Sequence, residues 1–538
     1  MASSMINRSR SITAMAGLAV SVVTAGAALA GCGSGGSSAG GTVVNGGTFT
    51  YALSSDPGNL DPQSSVSSNA YSMSVLAYDP LLSIDDSGAI GSQLAASWHV
   101  NDKTVTLTMR PGITCSDGSA FTAQTAADNL NYVGNPKNSS PFAGVMLPVN
   151  TTATADAATD TVTINLPGPA PFILNGLAGI PMVCANGMAD RKLLAGSTNG
   201  TGAYQLTQAQ PGNQYTLTKR ADYTWGPNGA TTAQPGQPDK IVVKIIANET
   251  TAANLLLSGQ INAATILGQD AKRLESSRVD SVNTSILAGE LWFNHAPGRA
   301  GADQKVRLAL TQAVDLGQLQ KVLTSGEGEP ATALAVVPPA ACKGNSVAEA
   351  LPEHNLDQAK ALLDSAGWTM GQDGVRTKDG QQLALTFVYA SRAGAAASAA
   401  ADLAAGQWQQ LGVKVTPSGQ DNTTQTNTLF STGNWDIALG PVNVPSPDQL
   451  VGFLSGPVPP NGDNFAHIDN AAYTSLVDQA QRLEGSAGCP QWLAAESSLI
   501  KNADVIPFAN QLNKVFASGA RFSAVGQLVP TSIRMTSN

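Results

Sequence analysis

Leu383-Ala384-Leu385-Thr386-Phe387-Val388-Tyr389-Ala390, the alanine-rich run from Ala396 to Leu411, and Val413-Lys414-Val415-Thr416 together decide the fold class. The first and last segments carry β-branched and aromatic residues and read as strands, and the run between them reads as a helix. Two strands joined through a helix lie parallel, as in a βαβ crossover. Outward from there, Leu356 to Ala366 predicts a helix closed by Gly367 just past its end. Val306, Ala309, Leu310, Ala313, Val314 and Val322 recur at helical spacing and predict one helix from Val306 to Leu323. Thr104 to Met109 alternates strictly, as a half-buried strand does, and Trp98-His99-Val100 supplies the other arm of a hairpin around Asn101-Asp102. Thr161 to Leu166 alternates likewise, and Lys240 to Ala247 is rich in strand formers. Breaks fall near 196–202, 225–238 and 325–345. Strands and helices are interspersed throughout, so the class is α/β.

The N-terminus is an address. Arg8 and Arg10 precede a run of small and apolar residues from Ile12 to Ala30, and Leu29-Ala30-Gly31-Cys32 follows. A positive start, an apolar stretch and small residues before a cysteine are the layout of an export signal. The L-A-G-C sequence resembles a bacterial lipobox, which makes residues 1–31 the signal and Cys32 the lipidated residue. A plain cleaved signal and an uncleaved anchor are the alternatives, the anchor being weakened by the Ala, Gly, Ser and Thr content. Residues 32–46 are dominated by Gly, Ser, Ala, Thr and Val and read as a flexible tether.

Composition narrows the function classes. The 538 residues carry a net charge of −9, and only 12% are Asp, Glu, Lys or Arg, about half the usual share. The surface is therefore largely uncharged polar. A negative chain without a basic run excludes nucleic acid as a partner. The four histidines are scattered, no C-x-x-C occurs, and neither a metal site nor a cofactor is expected. Gly36-Ser37-Ser38-Ala39-Gly40 matches the hydrolase elbow formally, but it lies in the tether with no strand before it. No other catalytic motif is present, so an enzyme is not expected. With Cys32 acylated, Cys115, Cys184, Cys342 and Cys489 form an even set in an oxidising compartment, and two disulfides have three connectivities open to them.

Several blocks in order resemble the family 5 extracytoplasmic solute-binding proteins of peptide-type ABC importers. They are Gly47-Thr48-Phe49-Thr50-Tyr51 through Leu60-Asp61-Pro62, Tyr78-Asp79-Pro80-Leu81-Leu82, Leu94-Ala95-Ala96-Ser97-Trp98, and Arg110-Pro111-Gly112-Ile113 with Ser116-Asp117-Gly118 and Phe121-Thr122-Ala123. Gly200-Thr201-Gly202-Ala203-Tyr204, Val306-Arg307-Leu308-Ala309 with Ala313-Val314-Asp315, and Ala359 to Trp368 complete the set. The resemblance implies a two-lobed periplasmic-binding-protein-like fold of type II with an enlarged first lobe and a hinge between the lobes. It would assign 47–74, 199–290 and 511–538 to lobe I, 75–198 to an inserted subdomain, and 291–510 to lobe II. On that division 115–184 and 342–489 are the favoured disulfides, because each lies within one predicted domain. Arg307 and Asp315 would pin their helix to its neighbours.

The implied function is capture of a small peptide or other polar solute in the interlobe cleft by a monomer, lipid-anchored outside the cytoplasmic membrane, with delivery to a permease and its ATPase. A binding-fold lipoprotein repurposed as an envelope scaffold is the alternative, and a secreted hydrolase ranks below it. Candidate ligand residues are Tyr71, Trp292, Asn294, Arg392, Asn443 and Asn510, chosen from strand ends and predicted crossings. Peptide-binding members carry an aspartate for the peptide's ammonium in the segment aligned with Gly440 to Asp448. Asn443 stands at that position, and an amide cannot neutralise a buried ammonium. Asp448 would substitute only in a shifted register.

Overall fold

The structure, a computed structural model, describes residues 41–65, 67–391 and 394–537. Cys32, the signal, the elbow-like motif and Arg392 lie outside the described residues.

Ten strands form one mixed sheet in the order Lys414–Gln420, Ala384–Ala390, Ile437–Leu439, Asp280–Phe293, Val505–Ala517, Ala263–Thr265, Thr48–Leu53, Lys240–Ile245, Gln214–Lys219, Tyr204–Gln210. Its centre is an antiparallel pair of long strands, Asp280–Phe293 and Val505–Ala517, in register from Asp280 opposite Ala517 to Trp292 opposite Val505. Register shifts at Leu287, Gly289 and Glu290 mark a bulge midway. The strands on one side belong to one half of the molecule and those on the other side to the second half. Only this pair runs through both halves of the ten-stranded sheet.

Each half buries both faces of its part of the sheet. In the second half Phe387, Leu291, Phe293 and Ile437 meet Leu310 and Trp408 on one face, while Val388, Trp292 and Val505 meet Trp435, Phe465 and Trp492 on the other. That two-sided burial explains why Leu383 to Ala390 reads as a nearly continuous apolar run. Ala384–Ala390 and Lys414–Gln420 pair in parallel, joined through the helix Gly394–Gln410, as the crossover reading expects. The second strand runs on past Pro417, beyond the predicted Thr416. It is an edge strand, where a residue without an N–H is tolerated.

Other expectations fare differently. The helix Leu356–Ser365 ends with Gly367 at φ 86°, where Trp368 N–H donates to Leu363 O (2.9 Å), so the glycine stop is real. The helix predicted from Val306 to Leu323 is two helices, Gln304–Ala313 and Leu316–Leu323. Asp315 causes the break, because its carboxylate accepts the Gln318 N–H (2.9 Å) and caps the second helix. Arg307 does pin the first helix, through a buried ion pair to Asp504 (2.8 Å) and bonds to Ala503 O and Gly301 O.

Residues 95–165 carry a separate four-stranded antiparallel sheet, Ala95–Asn101, Thr104–Met109, Thr161–Asn165 and Thr152–Asp156, packed on the helix Ala123–Gly134. Asp79 ties this region to the first half. Its buried carboxyl accepts from Gln93 Nε2 (2.7 Å), Thr201 Oγ1 (2.9 Å), Tyr223 Oη (2.9 Å) and Trp225 Nε1 (3.2 Å). The disulfides are Cys115–Cys184 and Cys342–Cys489, the favoured pairing.

Asp79→Ala leaves three buried donors, Gln93 Nε2, Thr201 Oγ1 and Tyr223 Oη, without their acceptor, while Trp225 Nε1 keeps Thr201 O (3.0 Å). At about 1–3 kcal/mol for each orphaned group, we expect a loss of at least about 3 kcal/mol in chemical denaturation, far more than an exposed Asp→Ala change such as Asp86→Ala.

Candidate cleft at the crossing strands

Strand direction fixes where a site can lie. In the second half Ala384–Ala390 and Ile437–Leu439 are parallel, and Leu439 stands opposite Leu291 where the crossing strand enters that half. Their carboxyl ends therefore point back to the crossing. In the first half Thr48–Leu53 and Ala263–Thr265 are parallel, and Thr265 stands opposite Val515, on the crossing side of Ala517. Those carboxyl ends point to the crossing too. Open α/β sheets bind ligands outside the carboxyl ends of their strands, so the candidate site is the cleft where the two sets converge.

The loop after Leu439 grips the crossing strand on both sides of the bulge. On one side Gly440 N–H donates to Glu290 O (3.1 Å), and Val442 N–H donates to Glu290 Oε2 (2.9 Å). Trp292 Nε1 donates to the same Oε2 (3.1 Å) and to Gly440 O (3.0 Å). On the other side Asn443 mimics a strand, accepting from Leu287 N–H (2.8 Å) and donating to Leu287 O (2.9 Å). Gly289 lies between. A Cβ there would stand 2.4 Å from the Phe508 ring, so only glycine lets the two crossing strands close at this point.

The acids around this loop have no cationic partner among the described residues. Burial pushes the Glu290 carboxyl up to about 8, with Glu496 adding to the rise and the two N–H donors opposing it. Asp448 is pushed up to about 6 by burial, although Ser446 Oγ donates to it (2.5 Å). Glu496 is raised by burial as well, while it accepts from Ser346 Oγ (2.6 Å) and Leu334 N–H (3.1 Å). Through these bonds and the Cys342–Cys489 disulfide, the irregular segment 334–346 is fastened to the helix Cys489–Lys501.

The halves also meet away from the loop. Beside the crossing, Glu327 from the second half pairs with Lys272 (3.0 Å) and Lys514 (3.2 Å) of the first half, and Lys514 also holds Glu275 (2.6 Å). At the far rim Pro171 O accepts Gly485 N–H (3.3 Å) and Phe172 lies 6.3 Å from Trp492, ring to ring. A cavity of about 390 Å³ remains there, between Ser87, Gly88 and Asn175 on one side and Pro339, Lys343 and Ser486 on the other.

The five candidate ligand residues that the structure describes are not brought together as one cluster. Tyr71 is half-buried, donates to Gly179 O (2.9 Å), and is pushed up to about 12 by burial. Trp292 is 1% exposed, with its ring tilted against Phe465 at 4.8 Å between centroids, inside the second half's core. Asn294, also 1% exposed, spends its amide on Trp435 O (2.9 Å) and Ala296 N–H (3.0 Å). Both occupy core positions because the crossing strand runs deep into that half. Asn443 is exposed at the cleft, but its amide is committed to Leu287. Asn510 sits at the crossing, bonded in both directions to the main chain of Glu329, and its Oδ1 has no partner among the described residues. Glu290 was not among the six. Its signal is a lone acid in the apolar run Leu287 to Phe293.

The sequence profile of the bacterial extracellular solute-binding proteins, family 5, matches residues 89–459. The chain belongs to that family. Family 5 consists of extracellular solute-binding proteins rather than enzymes. Among curated proteins, this member is 27% identical over 492 residues to the periplasmic murein peptide-binding protein MppA of Escherichia coli, covering 86% of this chain and 87% of MppA. A substrate-binding protein from Microbacterium hydrocarbonoxydans, solved with 4-hydroxybenzoate hydrazide, superposes with a TM-score of 0.75 at 24% identity, covering 91% of this chain and 100% of that one. The ABC transporter-associated periplasmic binding protein DppA from Helicobacter pylori, solved with the peptide STSA, superposes with a TM-score of 0.75 at 19% identity, over 92% and 99% of the two chains. The fold of this family 5 protein is accordingly the two-lobed periplasmic-binding-protein type. Among the described residues no helix is long and apolar enough to cross a membrane.

Two outcomes follow from the loop geometry. Asn443→Asp removes the donor to Leu287 O and sets a carboxylate against that carbonyl. It costs about 1 kcal/mol at neutral pH, part of which returns at low pH once the protonated acid can donate again, as denaturation at pH 7 and pH 4 would show. Glu290 keeps a proton in the native state that the unfolded chain sheds above its ordinary pKa of 4.5, so its contribution to stability falls as pH rises from there to about 8. The melting temperature of Glu290→Gln relative to wild type should therefore climb between pH 5 and pH 8.

Proposed function

We propose that this protein is the substrate-binding component of an ABC importer, held by a lipidated Cys32 to the outer face of the cytoplasmic membrane. It captures a small peptide or peptide-like polar solute in the cleft between its lobes and presents it to a permease and its ATPase. Similarity to MppA along most of both chains carries this reading, and the convergence of strand ends on one crossing supports it. The lobes are 47–74, 199–290 and 511–538 against 291–510, with 75–198 inserted in the first. Residues 32–46 tether the folded part to the membrane, and several acyl chains on one cysteine make that anchoring stable. The protein works as a monomer, closing about the crossing strands, and the loaded closed form is the one the permease accepts.

Cleft residues offered to the solute come from Tyr71, Asn443, Asn510 and Arg392, with Trp292 and Asn294 shaping the cleft from beneath. Unliganded protein should be stabilised saturably by one class in a panel of peptides, oligosaccharides and other polar metabolites. No stabilisation by any class would point instead to an envelope scaffold. Cys32→Ala should release the protein from membranes into the medium, and retention of that variant would contradict the anchor.

A further inference from the structure

The segment that leads into the first strand is bonded to the end of the chain. Val44 N–H donates to Met535 O (2.9 Å), Ser537 N–H donates to Thr42 O (2.8 Å), and Val43 stands opposite Thr536 in an antiparallel bridge. Arg521 Nη2 donates to Gly41 O (2.8 Å), and Gly236 N–H donates to Asn45 Oδ1 (2.8 Å). Gly41 to Asn45 are thus part of the folded body, and only residues 33–40 separate them from Cys32. The surface around this point is distinctive. Val43 and Val44 are 45% and 47% exposed. Lys240, whose N–H donates to Gly47 O (3.2 Å), is exposed, as is Arg521, and neither is in an ion pair among the described residues. Arg534 stands opposite Arg521. The one acid within 41–48, 232–240, 519–521 and 533–537 is Asp239, and Lys219 pairs with it at 2.7 Å. On a chain of net charge −9 this is a positive island.

We propose that this face of the first half lies against an anionic phospholipid surface, with Lys240 and Arg521 over the phosphodiesters and Val43 and Val44 at headgroup level. This rests on the Cys32 anchor and deepens it, since it names the part of the fold that the anchor brings to the lipid. Even fully extended, the stretch between Cys32 and Gly41 spans only about 30 Å. Attraction between cations and an anionic leaflet fades within a Debye length, so a short connection at the centre of the positive island puts that charge where it acts. A cavity of about 420 Å³ adjoins the same point, lined by Asn45, Lys219, Gln234, Gln237 and Asp239 among others. Its amides and its ion pair suit the hydroxyls and phosphate of a headgroup. The pose also serves capture. Thr48–Leu53 starts at this face and its carboxyl end points to the crossing, so the cleft stands at the far end of the strand, open to solution.

The test is photo-crosslinking of the full chain, expressed with its signal in bacterial membranes, to a phosphatidylglycerol analogue that carries a diazirine in its headgroup. Peptide mass spectrometry then maps the adducts. We expect them to concentrate in 41–48, 232–240 and 519–521, with the helix Leu356–Ser365 of the second half free of them. High salt should lower the yield on this face in wild type. Lys240→Glu should lower it at least about threefold, and Lys240→Arg should keep it. An unchanged melting temperature will show that Lys240→Glu is folded, and the wild-type map and its salt dependence need no variant. Adducts spread evenly over both halves, a yield indifferent to salt and to Lys240→Glu, or adducts from this face to another protein in place of lipid overturn the proposal. Wild type absent from the membrane fraction overturns the anchor and the face together. Wild type in that fraction with its adducts elsewhere overturns the face alone and leaves the anchor.

Discussion

Everything in this molecule hangs on the antiparallel pairing of Asp280–Phe293 with Val505–Ala517. A ladder that runs unbroken from Asp280 to Trp292 would make one stiff slab. Here it is interrupted at Gly289, where Phe508 fills the space a side chain would need. A bulge weakens and twists a ladder locally while leaving both ends paired. The first and second halves can therefore keep intact cores, on Phe49 and Leu217 in one and Phe387 and Trp408 in the other. On the proposed closure, relative motion would fall to the few residues between them.

The chemistry of the cleft follows from the same place. Because the crossing strand carries Glu290 into the second half, an acid is buried where the carboxyl ends of the strands meet. Because the loop after Leu439 must cover that strand, Val442 and Asn443 are drawn down onto it. The acid at the crossing and the loop above it form a single unit. Elsewhere Arg307 pairs directly with Asp504 and Glu327 with Lys514, while Asp79 is held by neutral donors. Glu290 and Glu496, both buried in the second half, have only neutral donors among the described residues.

Local chemistry was legible in the sequence, and long-range register was not. Gly367 announces a helix end because a left-handed residue needs no partner from afar to be recognised. Alternating segments and the Ala-rich run gave the α/β class for the same reason. The disulfides followed from the expected division into domains. Asp315 was misread as a helix-interior residue because six apolar positions favoured continuity, while a cap competes through one side-chain bond that spacing does not show. Trp292 and Asn294 looked like crossing residues, as they are, but strand faces depend on the pairing with Val505 and on the bulge, which no local pattern encodes. Glu290 went unnoticed because one acid in an apolar run has no motif. Its meaning comes from Val442, 152 residues away in sequence.

The central claim is that the two halves close about the bulge when a solute fills the cleft. Solution X-ray scattering of the chain, unliganded and then saturated with whichever solute stabilises it, measures this directly. The account predicts a smaller radius of gyration in the saturated protein, and the same contraction in a variant that loses only the far-rim contact of Phe172 with Trp492. An unchanged radius at full saturation would contradict it, leaving a rigid body that binds without signalling.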